Sequence, residues 1–489
     1  MDIRDYLRVL SKCDRLMEID GEVDWNLEVG AIQGMSNRVA HKACLFNNIK
    51  GYPGWRMLGS PWACCSREDV WMGNALAAGL PPGTSRSEYH RVIDRKLYGS
   101  ISPTEIASAD APCKEVIKLG KEANLFEMPI PYLHSTDGGR YLTAHVILHR
   151  DPDTGWTNWG WYRFMAIGPR RASSLNVPTQ QGPAILFQKY WARGKACPFA
   201  LAIGGDPAIA IAAAFGAGAG VCEADIVGSI RDSPLEVVRC ETNNLLVPAR
   251  AEVVIEGEIL PGEMVDEGPF AEFSGFVHGR MQNPLYRINC ITHRKDPIMI
   301  FVSQVGTVNE GICVPVPNIE ADRMHLLVEE KGLPVRDVGV AAEQPNSIFV
   351  SMNDTRQHFL AQVAAVSQAS KLASYEHHLW FFDPDQDVGL SHYALEAWAL
   401  NCDPRTGFHI SDEDAFNNPL LFITGLEERN KMINAAKVWY DCTTANKPPE
   451  LIPRKDNFER GYDKDIQSRV KERWIEMGFD VPFKEIETV

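Results

Sequence analysis

The chain has 489 residues, of which 45% are hydrophobic and 23% charged, which excludes a disordered polymer and a short-repeat fibre. Acidic residues number 64 and basic ones 49, giving a net charge of −15 and a pI near 5.4. That balance lacks the basic footprint of a nucleic-acid binder and opposes an anionic membrane surface. The length predicts about three domains. The 12 cysteines contain no CxxC, and Cys64-Cys65 is their one close pair, so reduced thiols are expected. The N-terminus is charged and amphipathic, unlike a signal peptide. The most apolar stretch, Phe199 to Val221, is interrupted by Gly204-Gly205-Asp206-Pro207 and does not read as a membrane span. A cytoplasmic protein is the expectation.

In chain order, Asp2 to Cys13 reads as a capped helix with Ile3, Tyr6, Leu7 and Leu10 at helical spacing. A mixed segment follows to about Pro112. Then Leu142–His149, Ala251–Ile259, Leu285–His293 and Pro297–Ser303 are short β-rich runs bounded by turn residues. They predict a barrel-like β core. Thr179 to Gly194 and Asp206 to Phe215 read as helices inserted in it. The last third alternates: Ile319–Lys331, Ser347–Met352, Asp354–Ala373, His378–Phe382 and Leu390–Leu400 predict an α/β layer. Asp465–Met477 reads as a terminal helix before Gly478.

Several motifs carry possible chemistry. In Glu267-Gly-Pro-Phe-Ala-Glu272, two carboxylates five residues apart would face opposite sides of a regular strand. Gly268-Pro269 breaks that regularity and allows both onto one site. Paired carboxylates split their pKa values, leaving one as a proton donor. A solvated surface turn explains the same residues. Asn158-Trp-Gly-Trp-Tyr-Arg163 offers an amide oxygen for a cation and a guanidinium fork for a carboxylate. An aromatic core strand with a surface arginine is the plainer alternative.

Gly216-Ala-Gly-Ala-Gly220-Val-Cys-Glu223 lacks the third glycine and the preceding strand of a dinucleotide loop. Glu223 after that turn is a candidate metal ligand. His145 and His149 share one strand face without the glutamate of HExxH, which reads as packing rather than zinc hydrolysis. No GxSxG elbow or GxxxxGK[ST] loop is present.

Taken together, these segments resemble the UbiD family of reversible decarboxylases, which use prenylated FMN. The resemblance runs through Asp2-Ile-Arg-Asp-Tyr-Leu7, Leu16-Met-Glu-Ile-Asp-Gly-Glu-Val-Asp24 and Asn158-Trp-Gly-Trp-Tyr-Arg163. It continues through Cys240-Glu-Thr-Asn-Asn-Leu-Leu-Val-Pro248, Ala251-Glu-Val-Val-Ile-Glu-Gly257 and Glu267-Gly-Pro-Phe-Ala-Glu272. Within that family it resembles the ferulate- and 4-hydroxybenzoate-type decarboxylases. The implied fold is a multi-domain α/β (α+β) protein. It has an N-terminal α/β portion over 1–115, a central flavin-reductase-like split β-barrel over 116–320, and a C-terminal α/β domain with an oligomerisation helix over 321–489.

The resemblance also implies a carboxy-lyase acting on an aromatic or α,β-unsaturated carboxylic acid. Arg163, Glu267 and Glu272 would be the catalytic set. Asn158, Gln181 and Glu223 would hold Mn²⁺ or Mg²⁺ at the cofactor phosphate. Backbone carbonyls of Trp159, Ala212, Ala213 and Phe215 would hold K⁺. Asn158, Trp161, Tyr162, Arg163, Gln181, Gly182, Phe215, Glu223 and His378 would contact the cofactor. A homodimer or larger homo-oligomer and a separate flavin prenyltransferase would be partners, with no nucleic acid and no membrane.

Four positions depart from the family pattern. Gln181, in Thr179-Gln-Gln-Gly-Pro183, stands where many members have a histidine ligand. His377-His378 begins a strand that usually starts with lysine. Ala271 replaces a glycine, and Phe273 follows the second acid. Two alternatives remain on these residues: a flavin-binding split-barrel oxidoreductase that transfers hydride, and a non-catalytic subunit of a larger decarboxylase.

Overall fold

The computed structural model describes the chain except residues 179, 305–307, 344–345, 370–376, 416–434, 446, 449, 451, 453–457 and 480–489. The first helix, Ile3–Lys12, begins at a capping box. Asp2 accepts from the Arg4 and Asp5 amides, and Asp5 accepts from the Asp2 amide. Its apolar stripe, Ile3, Tyr6, Leu7 and Leu10, is buried as the spacing predicts. It packs beside a four-stranded sheet in the order Leu16–Ile19, Ala43–Phe46, Arg56–Gly59, Ile298–Phe301.

Among the described residues, nine strands form the central sheet. Its order is Arg140–Leu142, Phe164–Gly168, Arg171–Ser174, Met281–His293, Ala251–Glu267, Cys197–Gly204, His145–Arg150, Thr157–Gly160, with Val116–Leu119 also paired to Met281–His293. The pairs are antiparallel. The first and seventh strands of that order are separated in sequence only by Thr143 and Ala144. Laid flat, six strand spacings would separate them by about 28 Å. Three peptide links span at most about 11 Å. The sheet therefore curls back on itself as a half-barrel, and residues 143–144 cross its split. The outgoing chain crosses the same split through Trp161, Tyr162 and Arg163.

Register shifts at Glu256/Gly257 and between Ile259 and Met264 accommodate the curl. They also explain why the predicted Ala251–Ile259 strand runs on to Glu267. Phe164, Phe199 and Tyr286 fill the inside, with Phe199 and Tyr286 centroids 4.8 Å apart. The insertion expected as one helix from Thr179 to Gly194 is broken up. Gln181–Ala184 is followed by widened turns over Ile185–Tyr190 and a tight turn that ends at Gly194. Thr179 lies outside the described residues. The other insertion, Ala208–Phe215, is helical as expected.

The chain divides into two compact units. One contains Met1–His325 and the segment beginning at Val340. The other contains Leu326–Gly339 and the described residues after Asn346. The second carries a five-stranded sheet ordered Val335–Val340, Ser347–Met352, His378–Phe382, Ala435–Asp441, Phe408–Ala415. Its helices Gln357–Ala369, Ser391–Asn401 and Lys464–Arg473 fall within the predicted alternation. Among the described residues, no helix is long and apolar enough to cross a membrane.

Emptying the barrel interior tests its weight. Phe199→Ala should cost about 3–5 kcal/mol. The expected result is a clear drop in the midpoint of denaturant unfolding followed by tryptophan fluorescence.

Candidate active site

The split carries the site. Arg163 stands where the chain leaves the crossing and enters the Phe164–Gly168 strand. Glu267 ends the Ala251–Glu267 strand, and Glu272 follows the two-residue strand Phe270–Ala271. The interruption at Gly268-Pro269 lets both acids reach one guanidinium. Arg163 Nε donates to Glu267 Oε1 at 2.9 Å and Nη2 to Glu267 Oε2 at 2.6 Å. Its remaining arm, Nη1, donates to Glu272 Oε1. All three side chains are buried. Phe270 lies under the guanidinium, 5.0 Å from the ring centroid to Cζ.

The two carboxylates are not equivalent. Glu267 takes the bidentate fork and also accepts from the Tyr141 hydroxyl at 3.0 Å. Glu272 has one charged partner. Burial pushes the Glu272 carboxyl up despite Arg163. The site thus holds one guanidinium shared unevenly by two carboxyl groups, and burial favours the protonated form of Glu272.

A second cluster lies five residues back along the same segment. Asn158 Nδ2 donates to Glu223 Oε1 at 2.9 Å and to Gln181 Oε1 at 3.2 Å. The Trp159 amide donates to Glu223 Oε2 at 2.8 Å. Glu223 opens the Glu223–Arg231 helix and is buried. Gln181 Nε2 is anchored on the Ala217 carbonyl at 2.7 Å. The Tyr162 hydroxyl donates to Asn158 Oδ1 at 3.3 Å and accepts from the Gly182 amide at 3.4 Å. The Tyr162 ring lies on Gly160, where a Cβ would sit 2.1 Å from it. Half a turn of the Asn158 amide presents its oxygen beside those of Gln181 and Glu223. Three such oxygens fit a hard divalent cation.

The carbonyls of Ala212, Ala213 and Phe215 lie in the last turn of the Ala208–Phe215 helix, its negative end. That placement suits a monovalent cation. Trp161 spans the split: its indole N–H donates to the Thr143 carbonyl at 2.6 Å, and its ring meets Trp62 edge-on at 5.7 Å. A groove of about 750 Å³ lies nearby, lined by Arg150, Trp156, Thr157, Trp159 and Cys222. It includes neither Asn158 nor Glu223. His378 belongs to the second unit, with its ring 3.1 Å from the Tyr440 hydroxyl and stacked beside Trp380. Burial lowers its pKa.

Three residues take places that the sequence did not assign. Tyr141 stacks on Phe270 at 4.4 Å and holds Glu267, yet a lone tyrosine in a strand gives no signal. His149 is fully buried beside the Asn158 cluster, and burial lowers its pKa to about 4, so the ring is neutral. Glu310 is buried, its Oε2 has no hydrogen-bond partner among the described residues, and its Oε1 accepts from the Ala63 amide at 3.3 Å. Its neighbours flank the turn that carries Glu272: Asn309 donates to the Phe273 carbonyl at 3.2 Å, and Phe273 packs on Gly311.

Known proteins agree with this architecture. The family model described as 3-octaprenyl-4-hydroxybenzoate carboxy-lyase N-terminal domain matches residues 7–95. The model described as the Rift-related domain of the same carboxy-lyase matches 104–307. The chain therefore belongs to the UbiD family and is a carboxy-lyase of that family. It is 29% identical to ferulic acid decarboxylase 1 of Saccharomyces cerevisiae over 502 aligned residues, covering 98% of each chain. It is also 29% identical, again over 98% of each chain, to pyrrole-2-carboxylic acid decarboxylase of Pseudomonas aeruginosa. The UbiD-class enzyme HmfF from Pelotomaculum thermopropionicum, solved in complex with FMN, superposes with a TM-score of 0.80 at 25% identity. That match covers 95% of this chain and 99% of the other.

Burial pushes Glu310 up to about 8, against an ordinary value of 4.5. The folded state therefore holds a proton that the unfolded chain releases above pH 4.5. The associated stability is complete below that value and is lost as pH rises through about 8. Glu310→Gln should remove this dependence. Thermal melts from pH 5 to 9 should show the variant gaining steadily on the parent protein as pH rises.

Proposed function

We propose that the chain removes CO₂ from an aromatic or α,β-unsaturated carboxylic acid with prenylated FMN as its cofactor, and that it also runs the reverse reaction. The observation that carries this reading is the buried fork of Arg163 on Glu267, with Glu272 on its remaining arm. When bound, prenylated FMN supplies an electron sink for the carbon that loses CO₂, a capacity no side chain has.

The chain's own residues would do the rest. Asn158, Gln181 and Glu223 would hold Mn²⁺ or Mg²⁺ beside the cofactor phosphate. The carbonyls of Trp159, Ala212, Ala213 and Phe215 would hold K⁺. Trp161, Tyr162, Gly182 and Phe215 would line the cofactor, and His378 would stand where relatives place a lysine. Arg163, fixed by Glu267, would orient the substrate carboxylate. Glu272 would hold its proton until the C–C bond breaks and then deliver it to the carbon that carried the carboxylate. Its burial favours that protonated form. Burial of the site excludes water that would compete as proton source.

Hydride transfer requires no second acid on the arginine, so the oxidoreductase reading leaves Glu272 without a task. The reading also implies a homo-oligomer supplied with cofactor by a flavin prenyltransferase.

Protein co-expressed with a flavin prenyltransferase should release CO₂ from at least one acid in a panel of cinnamic, hydroxybenzoic and heteroaromatic acids. Glu272→Gln should lower kcat by at least about 100-fold, as expected for loss of a general acid. Full activity in that variant would remove Glu272 from the proton path. Separately, Asn158→Ala should purify with little divalent metal and little flavin, read by elemental analysis and the visible spectrum.

A further inference from the structure

His149 is a buried ring without a stated task. It is 0% exposed, and among the described residues neither Nδ1 nor Nε2 has a hydrogen-bond partner. Buried polar atoms are rarely left so, and a missing ion is one of the few explanations. Its position is specific. His149 pairs directly with Asn158 across the antiparallel strands His145–Arg150 and Thr157–Gly160. Directly opposed residues share one face, with Cβ atoms about 4.5–5.5 Å apart. The imidazole therefore faces the same side as the Asn158 amide.

Gly182 packs against both side chains and so places them next to each other. A Cβ at that position would lie 2.9 Å from His149 Nδ1 and 3.0 Å from Asn158 Oδ1. A larger residue would press on the ring and the amide together, so both reach one small stretch of backbone. Gly182 adjoins Gln181, the residue that stands in place of the family's histidine. The cluster otherwise offers only oxygen: Asn158 and Gln181 amides and the Glu223 carboxylate.

We infer that His149 supplies a nitrogen donor to the divalent ion held by Asn158, Gln181 and Glu223. The nitrogen arrives from the neighbouring strand instead of from the Gln181 position. This inference rests on the divalent ion of the proposed function. It goes further by assigning a ligand from a different element and by changing the donor set from all-oxygen to mixed. A nitrogen donor also shifts preference toward the later first-row metals over Mg²⁺.

The test uses holoenzyme loaded with Mn²⁺. Bound metal is counted by electron paramagnetic resonance, and electron spin-echo modulation reads nitrogen on the ion. The parent protein should show ¹⁴N modulation that changes when histidine is ¹⁵N-labelled. His149→Gln should lose that modulation and bind Mn²⁺ at least about tenfold more weakly. His145→Gln should keep it, and this variant together with the ¹⁵N-histidine response of the parent protein decides the question should His149→Gln fail to fold. Bound Mn²⁺ without histidine nitrogen in the parent protein would overturn this inference alone. So would modulation that survives in His149→Gln or disappears in His145→Gln. Absence of any bound Mn²⁺ in the parent holoenzyme would overturn the divalent site itself and this inference with it.

Discussion

A single guanidinium, buried and shared between two carboxylates, constrains everything around it. Taking Arg163 out of water is unfavourable unless its donors are met, and Glu267 and Glu272 meet them on two sides. Two full negative charges on one positive charge would leave a buried excess. The structure resolves this unevenly. Glu267 has the fork and the Tyr141 hydroxyl, while burial favours the proton on Glu272. The asymmetry of the hydrogen bonds is thus also an asymmetry of environment: one acid is held by three donors, and burial favours the protonated form of the other.

That arrangement depends on the curl of the central sheet. Thr143 and Ala144 on one pass, and Trp161 to Arg163 on the return, cross the same split. The Trp161 indole bonds the Thr143 carbonyl and ties the two crossings together. Asn158 and Arg163 therefore sit at opposite ends of one short crossing. This spacing separates the Asn158, Gln181 and Glu223 cluster from the acid cluster while keeping Asn158 and Arg163 on one segment. It is the arrangement expected of a site whose ligand has an anionic end and a reacting end.

Much of this was legible in the sequence. The helix cap at Asp2, the β-rich middle and the alternating last third follow from periodicity and turn residues. The acids at 267 and 272 were suspect because Gly268-Pro269 interrupts a strand that would otherwise point them apart. The limits have physical causes. The strand beyond Ile259 was missed because Pro261-Gly262 reads as a turn, whereas the sheet absorbs it as an irregularity. The insertion after Thr179 looked like one helix because its composition is helical, but it is divided into short turns ending at Gly194. Tyr141 and Glu310 matter through partners more than a hundred residues away, which no local pattern encodes. His149 is buried, in keeping with its reading as packing, but its pairing with Asn158 exists only once two strands are in register.

The sequence distance inside the charge trio has a consequence for how activity arises. Arg163 lies 104 residues from Glu267 and 109 from Glu272. Nothing local brings them together, and loops of that length close only when the sheet between them has formed. A chain emerging from the ribosome presents the arginine long before its acids are made. Assembly of the Arg163, Glu267 and Glu272 contacts therefore reports the pairing of the strands that carry them.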